Sequence, residues 1–267
     1  MFWDSKHTSS DIEDRRNERP AMGGGGGGMM SILAIGSRFG LKGILVALLV
    51  IGGMTIAGPC GHATQRVADR APVAQDDPMV HFVGFVVDDV QTTWRKQLPD
   101  YTDAKLVLFR NSIGSACGIA TEAVGPFYCP LDKKVYVDLA FYEELRTKLG
   151  APGDFAQAYV IAHELGHHIQ DIRGILGKQG EVSSVAVELQ ADCLAGAWAK
   201  NAELRGELEA GDIDEALNAT AQIGDDTLQR KAGQHVQPER WTHGSAAQRS
   251  ENFKNGYSGG AAACGIR

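Results

Sequence analysis

Three of the chain's eight histidines fall within six residues, in the stretch YVIAHELGHHIQDIRG from position 159 to 174. His163 and His167 are four apart. On a helix that spacing puts both imidazoles on one face, with Cβ atoms about 5–6 Å apart. Two rings so placed can share a zinc ion at about 2.0–2.1 Å from each nitrogen. Glu164 lies between them, and H-E-x-x-H on a helix is the pattern in which two histidines bind zinc and the glutamate is the general base of a metalloprotease. Val160, Ile161, Ala162, Leu165 and Ile169 put no charge beside the pair, so the helix can be buried. Gly166 in mid-helix costs about 1 kcal/mol against alanine. That cost points to close approach of another backbone, here expected to be the sheet.

Two ligands do not complete such a site. Extension to HExxHxxGxxH fails, because Gln170 and Arg173 occupy the glycine and final-histidine positions. The other route is a carboxylate on a second helix, and VELQADCLAGAW supplies it. Glu188 would complete a His2Glu set for one Zn2+ ion, with the fourth position left to water. Asp192, one turn further on, would accept the free ring N–H of a ligand histidine and fix its tautomer. Both acids lie among alanine, valine and leucine, where an unpaired carboxylate is costly. His168 points about 100° away from His167 around the helix axis and reads as a bystander.

Zinc lowers the pKa of a bound water to about 7. Glu164 would take the proton and deliver it to the leaving amine. The carbonyl oxygen, as it gains charge, needs a second stabiliser. His243, in WTHGSAAQR, is the candidate, and Tyr257 a weaker one. The competing role for His243 and Ser245 is to cap the last helix, with Arg249 holding it down. A peptide substrate is expected to add as a strand to a sheet edge, for which the segment 114–119 is the candidate.

At this point the sequence resembles a known family. HELGH followed by ELQADC looks like the gluzincin arrangement, HExxH…ExxxD. With ACGIA, GPFYCP, VYVD, AHELGHHIQ, VELQADCLAGAWA and HGSAAQR, it resembles the bacterial neutral zinc metallopeptidase family of the YpfJ type, over most of residues 79–264. The resemblance extends to the charged, glycine-rich N-terminus. It implies a zincin-like domain, a zinc metalloendopeptidase activity and a peptide or protein substrate. Two other classes compete. One is a zinc-bearing scaffold or interaction protein at the membrane, without turnover, against which the intact Glu164 argues. The other is a hydrolase acting on a non-peptide amide, such as cell-wall peptide crosslinks.

The elements that must position these residues read as a helix-rich α+β domain with a small antiparallel sheet. Helices are expected over 80–98, 139–149 (capped by Asp138), from Asp154 through the HELGH stretch, over 180–209, from Asp212 to Ala232, and from His243 or Ser245 onward. Strands are expected at 104–110 and 133–138. Cys117, Cys129, Cys193 and Cys264 lack CxxC spacing, which argues against a thiolate metal site. As disulfides they imply an oxidising compartment. Cys117 with Cys129 would close a hairpin-like loop and Cys193 with Cys264 would staple the tail to the core, although three pairings are open. Cys60, preceded by Pro59, reads as an unpaired or intermolecular thiol.

Ahead of the domain, 1–38 is charged and then glycine-rich, and reads as a disordered cytoplasmic tail. Residues 39–59 contain an uncharged run from Gly43 to Pro59 and read as a transmembrane signal-anchor; 60–78 reads as a linker and 79–267 as the peptidase domain. The expected localisation is therefore a single-pass inner-membrane protein with its C-terminal domain extracytoplasmic. The net charge of −7 carries no basic footprint, so nucleic acid is not an expected partner.

Overall fold

The computed structural model describes residues 1–18, 77–121, 125–176 and 183–266. In chain order it holds β1 (Ile12–Asp14), α1 (Pro78–Gln97), β2 (Lys105–Phe109), β3 (Ser112–Ser115), β4 (Gly118–Thr121), β5 (Phe127–Cys129) and β6 (Lys134–Asp138). Helices follow: α2 (Ala140–Thr147), α3 (Asp154–Ile172), α4 (Ser184–Leu204), α5 (Asp212–Gln222), α6 (Asp225–Lys231) and α7 (Ala246–Ala263). The fold is helix-rich α+β, as expected.

The helix starts follow from local chemistry. Asp77 caps α1 by accepting the Met79 N–H, and Pro78 takes the first helical position, where a missing N–H costs nothing. Ser183 caps α4 through the Ala186 N–H. Ser245, not His243, caps α7, in a reciprocal box with Gln248. The single helix expected from Asp212 to Ala232 is two. Gly224 is extended between them, and a Cβ there would collide with the backbone of Ala246 at the start of α7.

The HELGH helix α3 is buried on almost every side, from Phe155 to Gln170, as suits a central helix. The close approach at Gly166 is real, but its partner is α4 rather than the sheet. A Cβ on Gly166 would sit 3.2 Å from the Cα and carbonyl oxygen of Ala191. The same device brings α4 onto α7. A Cβ on Gly196 would meet the Phe253 carbonyl, and one on Gly256 the Cys193 carbonyl. Cys193 and Cys264 close a disulfide across this contact, and Cys117 and Cys129 close the other, with Cα–Cα distances of 5.6 and 5.8 Å.

The small sheet is not antiparallel as expected, but mixed, with strand order β1-β2-β6-β5. β1 and β6 both run parallel to β2, and only β5 is antiparallel to its neighbour. The chain between Phe109 and Lys134 contains β3, β4 and β5, enough for the crossover that parallel strands need. β2 and β6 are buried after their first residues, the near-continuous apolar burial of parallel strands. β3 and β4 form a separate antiparallel pair, Ser112↔Thr121 to Ser115↔Gly118.

The N-terminus departs most from expectation. Residues 1–18 are not disordered: they are part of the folded unit. Ile12 pairs with Leu106 and Asp14 with Leu108. Trp3 packs edge-on to Phe82 at 5.3 Å. Part of the charge that suggested a solvated tail is paired with the domain. Arg16, buried, bridges Asp14 (2.8 Å) and Asp77 (2.6 Å), and Lys134 holds Glu13 at 2.7 Å.

This also overturns the single-pass membrane placement. One crossing at 39–59 would put residues 1–18 and 77–266 on opposite faces of a bilayer, yet β1 and β2 share one sheet. Among the described residues no helix is long and apolar enough to cross a membrane. The segment 39–59 itself, Cys60 and most of the expected linker lie outside the described residues. The spanning helix and the localisation built on it are therefore not supported.

Candidate metal centre

His163 and His167 project from α3 toward Glu188 on α4, so the Gly166–Ala191 contact sets the distance between the two sources of donors. His163 Nε2 lies 3.1 Å from Glu188 Oε2, and His167 Nε2 3.5 Å from Oε1. One donor atom from each of the three falls within 4.8 Å of the others.

The remaining ring nitrogens are already spoken for. His163 Nδ1 donates to Asp192 Oδ1 at 2.8 Å. His167 Nδ1 donates to the Gln170 side-chain oxygen at 2.8 Å, and the Gln170 amide in turn donates to the Val187 carbonyl at 2.7 Å. Each imidazole is thus fixed so that Nε2 faces the shared carboxylate. Two imidazoles and one carboxylate, oriented from behind, form a donor set that fits a zinc ion.

Asp192 is fully buried and heavily compensated. Arg249 from α7 donates from Nε to Oδ2 at 2.9 Å and from Nη2 to Oδ1 at 3.0 Å. Tyr159, one turn before His163, adds its hydroxyl to Oδ1. Burial pushes the Asp192 carboxyl up, but Arg249 and His163 outweigh it and hold the group at about 2. Burial likewise lowers His163, and Asp192 and Glu188 more than offset that, raising it to about 10. His167 is also raised, by Glu188 against burial, and Glu188 is driven well below the carboxylate range by the two histidines despite its burial.

Glu164 is buried, and its side chain lines the same cavity as His163, His167 and Glu188, a cleft of about 550 Å³. His243 lines it from the far side. Its side chain is half exposed; its Nδ1 lies 2.9 Å from the Thr242 hydroxyl and 3.2 Å from Asp225. Tyr257 does not line the cavity; the Lys200 ammonium sits over its ring at 5.1 Å. His168 is apart from the donors: its Nε2 donates to the Thr102 carbonyl at 2.6 Å and its Nδ1 lies 3.0 Å from the Tyr128 hydroxyl. Residues 114–119 do not line the cavity. Phe127 and Tyr128 of β5, the edge of the four-stranded sheet, do.

Residues 1–266 match the model of a family described as "Putative neutral zinc metallopeptidase". The chain belongs to this neutral zinc metallopeptidase family. It is 41% identical over 281 residues to "Uncharacterized protein YpfJ" of Escherichia coli (strain K12), covering 97% of this chain and 96% of that protein. It is 44% identical over 190 residues to "Uncharacterized protein Rv2575" of Mycobacterium tuberculosis (strain H37Rv), covering 65% of each. No solved structure matches the chain.

Three contacts that support the donor set are not announced by the sequence motifs of this family. Gln170, which in the sequence only excludes a longer histidine motif, orients His167. Tyr159 and Arg249 hold Asp192. The first two were within reach, since Gln170 is three residues after His167 and Tyr159 four before His163, both on the helical face of their partners. Arg249 reaches Asp192 across 57 residues, and no local pattern announces it.

A second acidic group, Asp154, Asp212 and Glu215, also lies within ligand distance of itself. It differs in kind. It offers only carboxylates, and the Met1 amino group sits among them, 2.8 Å from Asp154 and 3.4 Å from Asp212.

Proposed function

We propose that this chain is a zinc-dependent peptidase, in which His163, His167 and Glu188 hold one zinc ion and Glu164 is the general base. The observation that carries this reading is the convergence of the two Nε2 atoms on Glu188, with Glu164 on the wall of the same cleft. A purely structural zinc site is closed by four protein ligands, whereas three leave a position for chemistry.

Bound zinc supplies a Lewis acid that polarises a carbonyl and acidifies water at neutral pH. The chain supplies the rest. Asp192 and Gln170 keep both imidazoles in the tautomer that presents Nε2. Glu164 takes a proton from the attacking water and passes it to the leaving amine. His243, held at Nδ1 by the Thr242 hydroxyl and the Asp225 carboxylate, can donate from a protonated Nε2 to the substrate carbonyl oxygen as that oxygen gains charge. The peptide main chain lies along β5, the sheet edge that borders the cleft.

The test is a peptide-library digest read by mass spectrometry, wild type against Glu164→Gln, with zinc measured in both proteins. Cleavage by the wild type that the variant loses, at equal zinc content, is the expected result. A protein that takes up no zinc, or identical digests from both, would overturn the reading.

A further inference from the structure

Two features of the cleft bear on what enters it. First, among the described residues its carboxylates belong to the donor set and its one guanidinium is already paired. Glu164 and Glu188 stand with the histidines, and Arg249, the one cation among the described lining residues, is committed to Asp192 through both Nε and Nη2. Among the described residues no lining lysine or arginine is left to receive a substrate's terminal carboxylate, and no lining acid away from the donor set is left for a terminal ammonium.

Second, one side of the cleft is apolar and close to Glu164. Val160 lies one helical turn before Glu164 on α3 and lines the cleft. Phe141, Leu149, Ile223 and Leu228 line it from α2, from the turn after α2, from the α5–α6 junction and from α6. Leu149 and α6 are tied together by the Lys231 ammonium, which donates to the Leu149 carbonyl at 2.7 Å. Ile223 is tied to the donor set, since Arg249 also bonds its carbonyl at 3.4 Å. Leu228, on α6, is 37% exposed and so within reach of a bound side chain. The cleft volume of about 550 Å³ is ample for several residues of peptide.

We infer that this apolar wall is a side-chain subsite, and that the substrate is an internal peptide bond flanked by a large apolar residue such as phenylalanine or leucine. The inference rests on the peptidase reading above and narrows it. A charged side chain placed there would lose its hydration with nothing to pair with. In an apolar pocket each methylene discriminates by ~10–200-fold, so a large apolar residue should be favoured over alanine or lysine by at least ~10-fold.

Two measurements on the full-length chain test this and keep the two readings separable. In the library digest, the wild type should cut beside large apolar residues at least ~10-fold more often than beside charged ones, and within peptides rather than at their ends. Leu228→Glu should weaken that preference and raise cleavage beside lysine and arginine. In parallel, calorimetry with zinc-loaded Glu164→Gln should show a phenylalanine-centred, end-blocked peptide binding at least ~10-fold tighter than its lysine counterpart. Cleavage without regard to the flanking residue, or cleavage confined to termini, overturns the inference and leaves the peptidase reading intact. No cleavage but selective binding of the phenylalanine peptide overturns the peptidase reading and keeps the subsite. Equal binding of the two peptides without cleavage overturns both.

Discussion

Gln170 makes the residue scale concrete, because its amide does two separable jobs. Its oxygen accepts from His167 Nδ1, while its nitrogen donates to the Val187 carbonyl and to Gln190 at 3.0 Å. Gln170→Glu keeps an acceptor for the histidine but loses the donor to the backbone. Gln170→Leu loses both. We expect Gln170→Leu to reduce zinc affinity by about 10–100-fold, the usual cost of removing a group that orients a ligand histidine. Gln170→Glu should retain most of that affinity and lose about 1–3 kcal/mol of stability through the unmet carbonyl and amide partners. Zinc titration and urea unfolding, run on both variants, separate the two effects; equal zinc affinity in both would remove Gln170 from the positioning of His167. The donor set itself was legible because its information is local: His163, Glu164 and His167 are spaced by one helical turn, and Glu188 and Asp192 by another. What the sequence withheld was the supporting group that comes from far away. Arg249 sits in HGSAAQR and reads there as a residue holding down a capped helix, with nothing local to show that its partner is Asp192, against which it is buried.

At the scale of elements, glycines decide how near the helices come. Gly196 on α4 and Gly256 on α7 face each other's helix across a contact too close for any side chain. Gly196→Ala should gain about 1 kcal/mol of helix propensity. It must also push Phe253, and with it α7, away from α4, and overpacking of this kind costs about 1–3 kcal/mol or more. The net expectation is lower stability, with reduced zinc affinity because α7 carries Arg249; a more stable Gly196→Ala protein would show that the interface yields freely. The Arg16 guanidinium, with burial acting against it, holds the Asp14 carboxyl below its usual value of 3.8. A depressed carboxyl stabilises the fold above its ordinary pKa and loses that contribution as pH falls through the lowered value. Wild type should therefore exceed Asp14→Asn in urea stability near neutral pH, and the difference should vanish in strong acid. A difference that is independent of pH would mean Asp14 acts through packing alone. The N-terminal segment was misread from its average polarity. Several of its charges are paired across the segment's boundary, Asp11 with Lys105 of β2, Glu13 with Lys134 of β6 and Arg16 with Asp77 at the start of α1, and mean composition carries no information about pairing.

For the molecule as a whole, topology was the least legible property. Both β2 and β6 were found in sequence within a residue at each end, yet their parallel pairing depends on an edge strand from residues 12–14 and on a crossover that no period encodes. The cysteines behave differently, since a covalent bond acts on the whole unfolded chain. Cys193–Cys264 spans 71 residues and Cys117–Cys129 spans 12. If each bond acts mainly by restricting the unfolded ensemble, the longer loop should contribute about 4 kcal/mol and the shorter about 3 kcal/mol. The two also sit differently relative to the donor set. Cys264 ends the helix that carries Arg249, whereas Cys129 ends β5 at the rim of the cleft. Paired alanine replacements at 193 and 264 should thus lower urea stability by the larger amount and weaken zinc binding with it. Paired replacements at 117 and 129 should lower stability by the smaller amount, keep zinc affinity, and reduce peptide binding as β5 loosens. Should both pairs cost the same stability, loop closure would not be the main contribution, and native contacts between α4 and α7 would have to carry the difference.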